Sequence, residues 1–457
     1  MSGLTTAYRL VGRGHDAVVL EASDRAGGKL ANVEVGGLTL PAGADSFVAR
    51  KPWAVELCRE LGLGKDLVVP AASGAYLWTD AGLVRFLPET AFGIPADVGD
   101  VWRWPGVSPA GRRRALRDLV IRKRKDPSDE TLGSLLRRRL GDEATEVAVA
   151  PLLAGLFAGD VDRLSAQATF PELVAWESWQ GSLIRGAQAA RRQARRDDAG
   201  PVFVRPRSGV DALPAALVRA LGARVTTGTT VDSLVAQDGR FAVRTTAGAV
   251  SMADAVIVAT EAHAASGILA HAAPSAAAEV GAITSASTAV VLLVYPEGTR
   301  DALPDGTGFV VPRGKAPMTA ATWLSSKWPD EAFGTRAVVR CYVGAAGIDE
   351  VVDASDADIV EACARHLSAV VPLPERPSHP GVVRWRAAMP QYELGHLDRV
   401  ARIRDLLPPG IFVTGQAYDG VGVPDCVRTA GATADAVDAY LAARPIPTDD
   451  TRQESTR

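Results

Sequence analysis

Two short stretches hold residues whose types and spacing suit a nucleotide. Near the start, Gly3 opens an amphipathic segment, residues 2–11, which reaches a turn at Gly12 and Gly14 and then an apolar run, 18–20, closed by Glu21. In a βαβ unit the pyrophosphate rests on the amide-rich start of the helix, and an acidic side chain about 20 residues on accepts hydrogen bonds from ribose hydroxyls. Gly3 would be the last glycine of a G-x-G-x-x-G turn, where absent bulk lets helix pack on sheet. The two earlier glycines and the strand before them are not in the sequence. Arg25-Ala-Gly-Gly-Lys29 then supplies adjacent glycines that can bend past a large ligand, with a flanking cation for a polar edge. Toward the other end, Phe412-Val-Thr-Gly-Gln-Ala-Tyr-Asp-Gly-Val-Gly-Val-Pro-Asp-Cys-Val-Arg428 carries a buried strand through a glycine-rich loop onto a helix, so that backbone amides and a positive helix end face whatever sits there.

Other chemistries find little support. Cys58, Cys341, Cys363 and Cys426 are far apart, with no C-x-x-C or zinc spacing, and the six histidines are scattered, so no metal site is expected. With 53 acidic against 50 basic residues the net charge is −3, which excludes a global field favouring nucleic acid. The longest apolar stretch, 147–158, is too short to span a bilayer. A reduced, cytoplasmic protein fits best, with peripheral contact at the inner face of the membrane left open. No His, Asp or Glu stands out as a catalytic base.

At 457 residues the chain is long enough for two or three domains. Glycine pairs and alternation predict hairpins over 30–47 and 75–87 and a helix over 52–61. Residues 91–200 are largely helical in pattern, with basic runs at 112–125 and 191–196 that read chiefly as solvated helix faces. From 202 the β/α texture returns: a helix over 209–222, strands over 224–227, 230–237 and 241–245, and a short parallel-type strand within 253–260. Strands over 288–295 and 337–343 and a helix over 356–371 suggest a second sheet, and 425–442 a closing helix; the polar tail from 445 is expected to be unstructured. The domains expected are 1–70, 203–265 and 382–444 for the nucleotide, 71–90 and 266–381 for the substrate, and a helical insert over 91–202.

Arg384-Trp-Arg-Ala-Ala-Met-Pro-Gln-Tyr392-Glu-Leu-Gly-His396, Pro151-Leu-Leu-Ala-Gly-Leu-Phe-Ala-Gly-Asp160 and Arg207-Ser-Gly-Val-Asp-Ala-Leu-Pro214, together with the glycine-rich loop above, make the sequence resemble the oxygen-dependent protoporphyrinogen and coproporphyrinogen oxidases of haem synthesis, over residues 2–443. The resemblance implies an α/β fold of the FAD-binding, two-dinucleotide-binding-domain (Rossmann-like) type, with a sheet-based substrate domain and a helical insert, lacking here its first strand. By position it implies that Glu21 and Ala22 hold the adenosine ribose and Lys29 a neighbouring polar edge. Gly43, Ala44, Asp45 and Ser46 would line the flavin, Val231 would pair with adenine, Trp385 would lie against the cofactor, and Val421, Gly422 and Val423 would meet the ring.

The activity implied is oxidation of a porphyrinogen by three successive two-electron steps, oxygen taking the electrons and yielding hydrogen peroxide. Arginines are expected to meet the substrate's propionates. The excess of arginine over lysine suggests a high-GC bacterial source, and that lineage favours coproporphyrinogen over protoporphyrinogen. Without the first strand and two glycines, weak FAD retention and impaired folding are expected. The reading from a different class is a flavin-fold protein that has lost its cofactor and serves as a binding module.

Overall fold

The computed structural model describes residues 1–88, 90–126, 128–196 and 200–444, and the tail expected from 445 lies outside the described residues. Helix Ser2–Gly12 buries Leu4 and Ala7 in one core with Leu57 of helix Pro52–Glu60, Leu213 and Leu217 of helix Ala212–Leu221, and Val427 of the long helix Val423–Ala443. Each of these buried leucine and valine side chains contributes roughly 1.5–3 kcal/mol. Two parallel strand pairs belong to this part of the fold: Val19–Leu20 with Val225–Thr226, and Val256–Val258 with Ile411–Val413. The apolar run at 18–20 reads as a buried strand, yet Val18 is 64% exposed and both strand residues are half-buried, because among the described residues this strand pairs on one side only. A separate antiparallel sheet joins Val231–Gln237, Arg240–Thr245 and an unforeseen third strand, Val250–Ala253.

A seven-stranded sheet runs His379–Pro390, Ser285–Val294, Val338–Val343, Met318–Trp323, Gly308–Val310, Tyr76–Thr79, Gly82–Arg85. All its pairings are antiparallel except that of Gly308–Val310 with Tyr76–Thr79. Side chains alternate across it. Val291, Leu293, Val339 and Cys341 pack with Ile359, Cys363 and Leu367 of helix Asp356–Ser368, while Val290, Leu292 and Val338 meet Leu38 and Leu40 of the hairpin Asn32–Val35 and Leu38–Pro41.

Helices between Val98 and Arg196 enclose a third core around Trp104, Leu136, Leu153, Phe157 and Phe170. The basic run 112–125 does not form one helix. Helix Pro109–Leu116 tightens into a 3₁₀ turn, Arg117–Leu119, and stops, because the buried Asp118 carboxylate accepts hydrogen bonds from Arg139, the Ser182 hydroxyl and the Ile184 amide. Arg139, also fully buried, donates further to the carbonyls of Asp118, Ile121 and Gly181. Tertiary hydrogen bonds of buried charges outweigh the small propensity advantage of further helical turns.

Candidate flavin site

The expected nucleotide residues gather around the start of the first helix. A Cβ on Gly3 would stand 3.2 Å from the Ala259 Cβ, at the end of strand Val256–Val258, so the small residue sets that close approach. Ser2 Oγ lies 3.5 Å from the Cys426 carbonyl, and Cys426, Glu21, Lys29 and Glu261 are all near enough to act electrostatically on Met1. At the end of strand Val19–Leu20, Oε1 of Glu21 accepts from the Ser23 amide (3.0 Å) and hydroxyl (2.8 Å), leaving Oε2 free among the described residues. The Glu21 carbonyl accepts from the Thr229 amide, two residues ahead of Val231, which starts its strand and pairs with Thr245; Ala22 is exposed beside it.

Lys29 points at Glu261, 3.1 Å away at the start of helix Ala262–Leu269. Burial works against the Glu261 carboxylate, but Lys29 beside it holds it below the usual carboxylate range. The tight loop before Lys29 is closed by Arg25, which donates to the Gly28 and Leu30 carbonyls, and it seats against Pro214: a Cβ on Gly27 would stand 2.8 Å from the proline ring.

The turn 42–46 is held by side chains from two strands of the large sheet, from the short helix Leu324–Lys327 that follows a third strand, and from Trp328 just past that helix. Trp385 Nε1 donates to the Ala42 carbonyl at 2.8 Å, and Arg340 donates to that of Gly43. Lys327 Nζ (2.8 Å) and Trp328 Nε1 (3.2 Å) donate to Oδ2 of Asp45, and the Ser46 hydroxyl to its Oδ1. Burial pushes the Asp45 carboxyl up, yet Lys327 and Arg340 outweigh it and hold the group well below the usual range. Its carboxylate therefore points toward these anchors; of the five turn residues, Ala44 and Ser46 keep partial exposure. Gly43 is pressed so closely on Lys29 that a Cβ would stand 1.7 Å from the Lys29 carbonyl oxygen. Trp385 reaches Ala42 from a strand that is bulged between its neighbours Ala286 and Thr288, with Ala387 in the left-handed region at φ 45°.

Helix Val423–Ala443 starts at Gly422 without a side-chain cap, and Pro424 in its first turn has no N–H to satisfy. Val421 packs toward the helical core and Val423 toward the core of the first helix, so the three residues sit at the seam. Lys51 Nζ lies 2.9 Å from both carboxylate oxygens of Asp425 and fixes this helix start to the segment after the 42–46 turn.

The quoted motifs touch one another. The Tyr392 hydroxyl donates to the Gln416 carbonyl (2.6 Å) and accepts from the Gly420 amide (2.7 Å), Gln416 Nε2 donates to the Ala388 carbonyl, and Gln391 Nε2 to that of Phe157. Burial pushes the Tyr392 phenol far up, so it remains a proton donor. His396 stacks on Tyr392 at 3.9 Å, with Nε2 2.9 Å from the Tyr418 carbonyl. Arg340, Lys327, Lys51 and the bridging hydroxyl of Tyr392 were not singled out in the sequence; a lone arginine inside the apolar string Val338-Val-Arg-Cys-Tyr-Val343 was the one available signal.

An uncapped helix start, a carboxylate with a free oxygen at a strand end, and a glycine turn that admits no Cβ form a donor and acceptor set that fits a flavin dinucleotide. Comparison with known proteins agrees. The family model "Flavin containing amine oxidoreductase" matches residues 1–438. Coproporphyrinogen III oxidase of Bacillus subtilis (strain 168) is 34% identical over 421 residues, covering 90% of this chain and 89% of the relative. That of Mycobacterium bovis is 33% identical over 461 residues, covering 97% of each. The solved structure of a provisionally named protoporphyrinogen oxidase from Exiguobacterium sp. 255-15 superposes with a TM-score of 0.85 at 31% identity, covering 96% of this chain and 97% of that one. The breadth of these matches places the chain in the family of flavin containing amine oxidoreductases.

Proposed function

We propose that this protein oxidises coproporphyrinogen III to coproporphyrin III with FAD as its cofactor and molecular oxygen as final acceptor, giving hydrogen peroxide. What supports this most is similarity along nearly the whole chain to relatives named for that activity, including the segments that build the turn 42–46 and the loop 415–422. Glu21 and Ala22 are assigned to the ribose, Gly3 to the pyrophosphate turn, Val231 to adenine, and Lys29 to a polar edge. Gly43, Ala44, Asp45, Ser46, Trp385, Val421, Gly422 and Val423 are assigned to the ring. The large sheet and the helical segment would enclose the substrate, following the partition 71–90 with 266–381 and 91–202.

Bound FAD supplies the two-electron acceptor. The chain's own part is to place and to shield. The turn 42–46 is anchored by Trp385, Arg340 and Lys327, and the loop 415–422 by Tyr392, so both walls are rigid before substrate arrives. The ionisable groups at these walls are already engaged, Asp45 by Lys327, Glu261 by Lys29, Asp425 by Lys51 and His396 at Tyr418, and none is assigned as a general base. Formation of an aromatic macrocycle drives the reaction, so positioning suffices. Purified protein incubated in air with coproporphyrinogen III and with protoporphyrinogen IX is expected to give porphyrin fluorescence and peroxide at least tenfold faster with the first. A preference for the second would reassign the substrate, and no turnover of either would overturn the reading.

Among the described residues no helix is long and apolar enough to cross a membrane. Trp179 is 83% and Val120 80% exposed; Lys123 donates to the Ser178 carbonyl and the Arg124 amide to Glu177, which sets 120–124 alongside 177–181, with Arg117, Arg122 and Lys125 exposed nearby. An aromatic and a valine ringed by cations suit a surface of anionic lipid, where each basic residue contributes about 1 kcal/mol. The protein should co-sediment with phosphatidylglycerol vesicles at low salt and not with phosphatidylcholine alone, and Trp179→Ser should weaken this several-fold. Equal behaviour toward both vesicles would remove the peripheral contact.

A further inference from the structure

The large sheet carries a charge where its neighbours are apolar. Arg340 is 3% exposed, with Leu292 and Thr322 as its partners in register on the two flanking strands. One nitrogen, Nη2, donates to the Gly43 carbonyl, and the guanidinium lies 4.6 Å from the Tyr342 ring centre. Nε and Nη1 are buried with no hydrogen-bond partner among the described residues. Asp45, the buried acid nearby, is already bonded by Lys327, Trp328 and Ser46. Arg205, 4.6 Å over the Trp328 ring, is a third cation within electrostatic range of the same carboxylate.

Three cations thus share one buried anion, Arg205 being met in addition by Asp330 and Asp211. A buried charge short of compensation is costly, and unmet N–H groups add to the cost, with only a ring face in partial return. For packing alone, leucine or methionine would serve this place better. Arginine is the residue type that carries a permanent positive charge. Here it stands directly behind the turn at Gly43, where a Cβ would run into the Lys29 carbonyl.

We infer that Arg340 is a positioning residue for the redox chemistry: it fixes the Gly43 carbonyl and keeps a positive charge behind the turn 43–46, favouring the electron-rich, reduced state of the ring bound there. This rests on the reading of 43–46 as the cofactor-lining turn.

The test is the midpoint potential of bound flavin in the holoprotein, together with FAD affinity by titration. Arg340→Gln should shift the reduction equilibrium at least tenfold toward the oxidised form, which for a two-electron couple is about 30 mV more negative. Arg340→Lys, which keeps the charge, should recover most of that shift even where its looser hold on Gly43 weakens FAD binding. Asp45→Asn, which removes the anion and leaves all three cations, should move the potential in the positive direction, and it carries the test should Arg340→Gln fail to fold. A purely structural role predicts no such opposition of sign. A potential in Arg340→Gln within twofold of the parent equilibrium, a fall in Arg340→Lys equal to that in Arg340→Gln, or a negative shift in Asp45→Asn would each overturn the assignment. Absence of FAD binding by the unsubstituted protein would instead overturn the turn itself as a cofactor contact.

Discussion

Alanine in place of Gly43 is expected to lower FAD affinity at least tenfold and to destabilise the fold by about 3 kcal/mol or more, the upper end of overpacking costs. The added Cβ would stand 1.7 Å from the oxygen and 2.7 Å from the carbonyl carbon of Lys29. Both are backbone atoms, and the turn cannot retreat, because the Ala42 and Gly43 carbonyls are held from the sheet and the Asp45 carboxylate by Lys327 of the helix Leu324–Lys327. Gly12→Ala is the matched control: at the end of the first helix its Cβ would meet nothing within 4 Å, and helix propensity predicts a gain of up to about 1 kcal/mol. FAD titration and thermal unfolding of the two variants check the pair. A Gly43→Ala protein that binds and melts like Gly12→Ala would show that the turn is not pressed on Lys29.

A second large effect is expected in the helical segment. Arg139→Met should cost about 3–5 kcal/mol, since it leaves the Asp118 carboxylate buried with its strongest partner gone. Arg137, two residues earlier, pairs with an exposed Asp162 while itself partly open to solvent, and Arg137→Met should cost under about 1 kcal/mol. Urea unfolding followed by tryptophan fluorescence would separate them, with Trp104 and Trp176 in the helical core as reporters. Equal losses in both variants would mean that the buried cluster contributes no more than a surface ion pair.

How much of this was legible beforehand depended on where specificity resides. The hairpins, the helix at 356, the closing helix and the glycine turns were readable because each is encoded by residues adjacent in the chain, such as Gly36-Gly37 with φ of 58° and 75°. Strand His379–Pro390 was not, since Pro380, Gly381 and Pro390 argue against a strand; it tolerates them because it lies at the sheet edge and is hydrogen-bonded on one side only. The Val250–Ala253 strand was missed for another reason: it is four residues long and mostly exposed, so no buried face marks it. At the candidate site, the residues expected at Glu21, 43–46 and 421–423 were found close around the first helix, since a glycine motif states its own geometry. The partners that hold them were hidden: Lys51 with Asp425 and Lys29 with Glu261 are joined only by folding, and Arg340 signals itself merely as a charge among apolar neighbours.

The anchoring of residues 42–45 has a mechanical consequence. To swing the sheet away from the nucleotide half like a jaw, the molecule would have to break the links from Trp385, Arg340, Lys327 and Trp328 together. At about 0.5–1.5 kcal/mol for a neutral link and 1.5–3 for a charged one, such a gape would be too rare to serve turnover. The frame stays shut through the catalytic cycle. On the proposed partition, a broad, flat guest would have to enter past the helical segment and not through an opening of this frame.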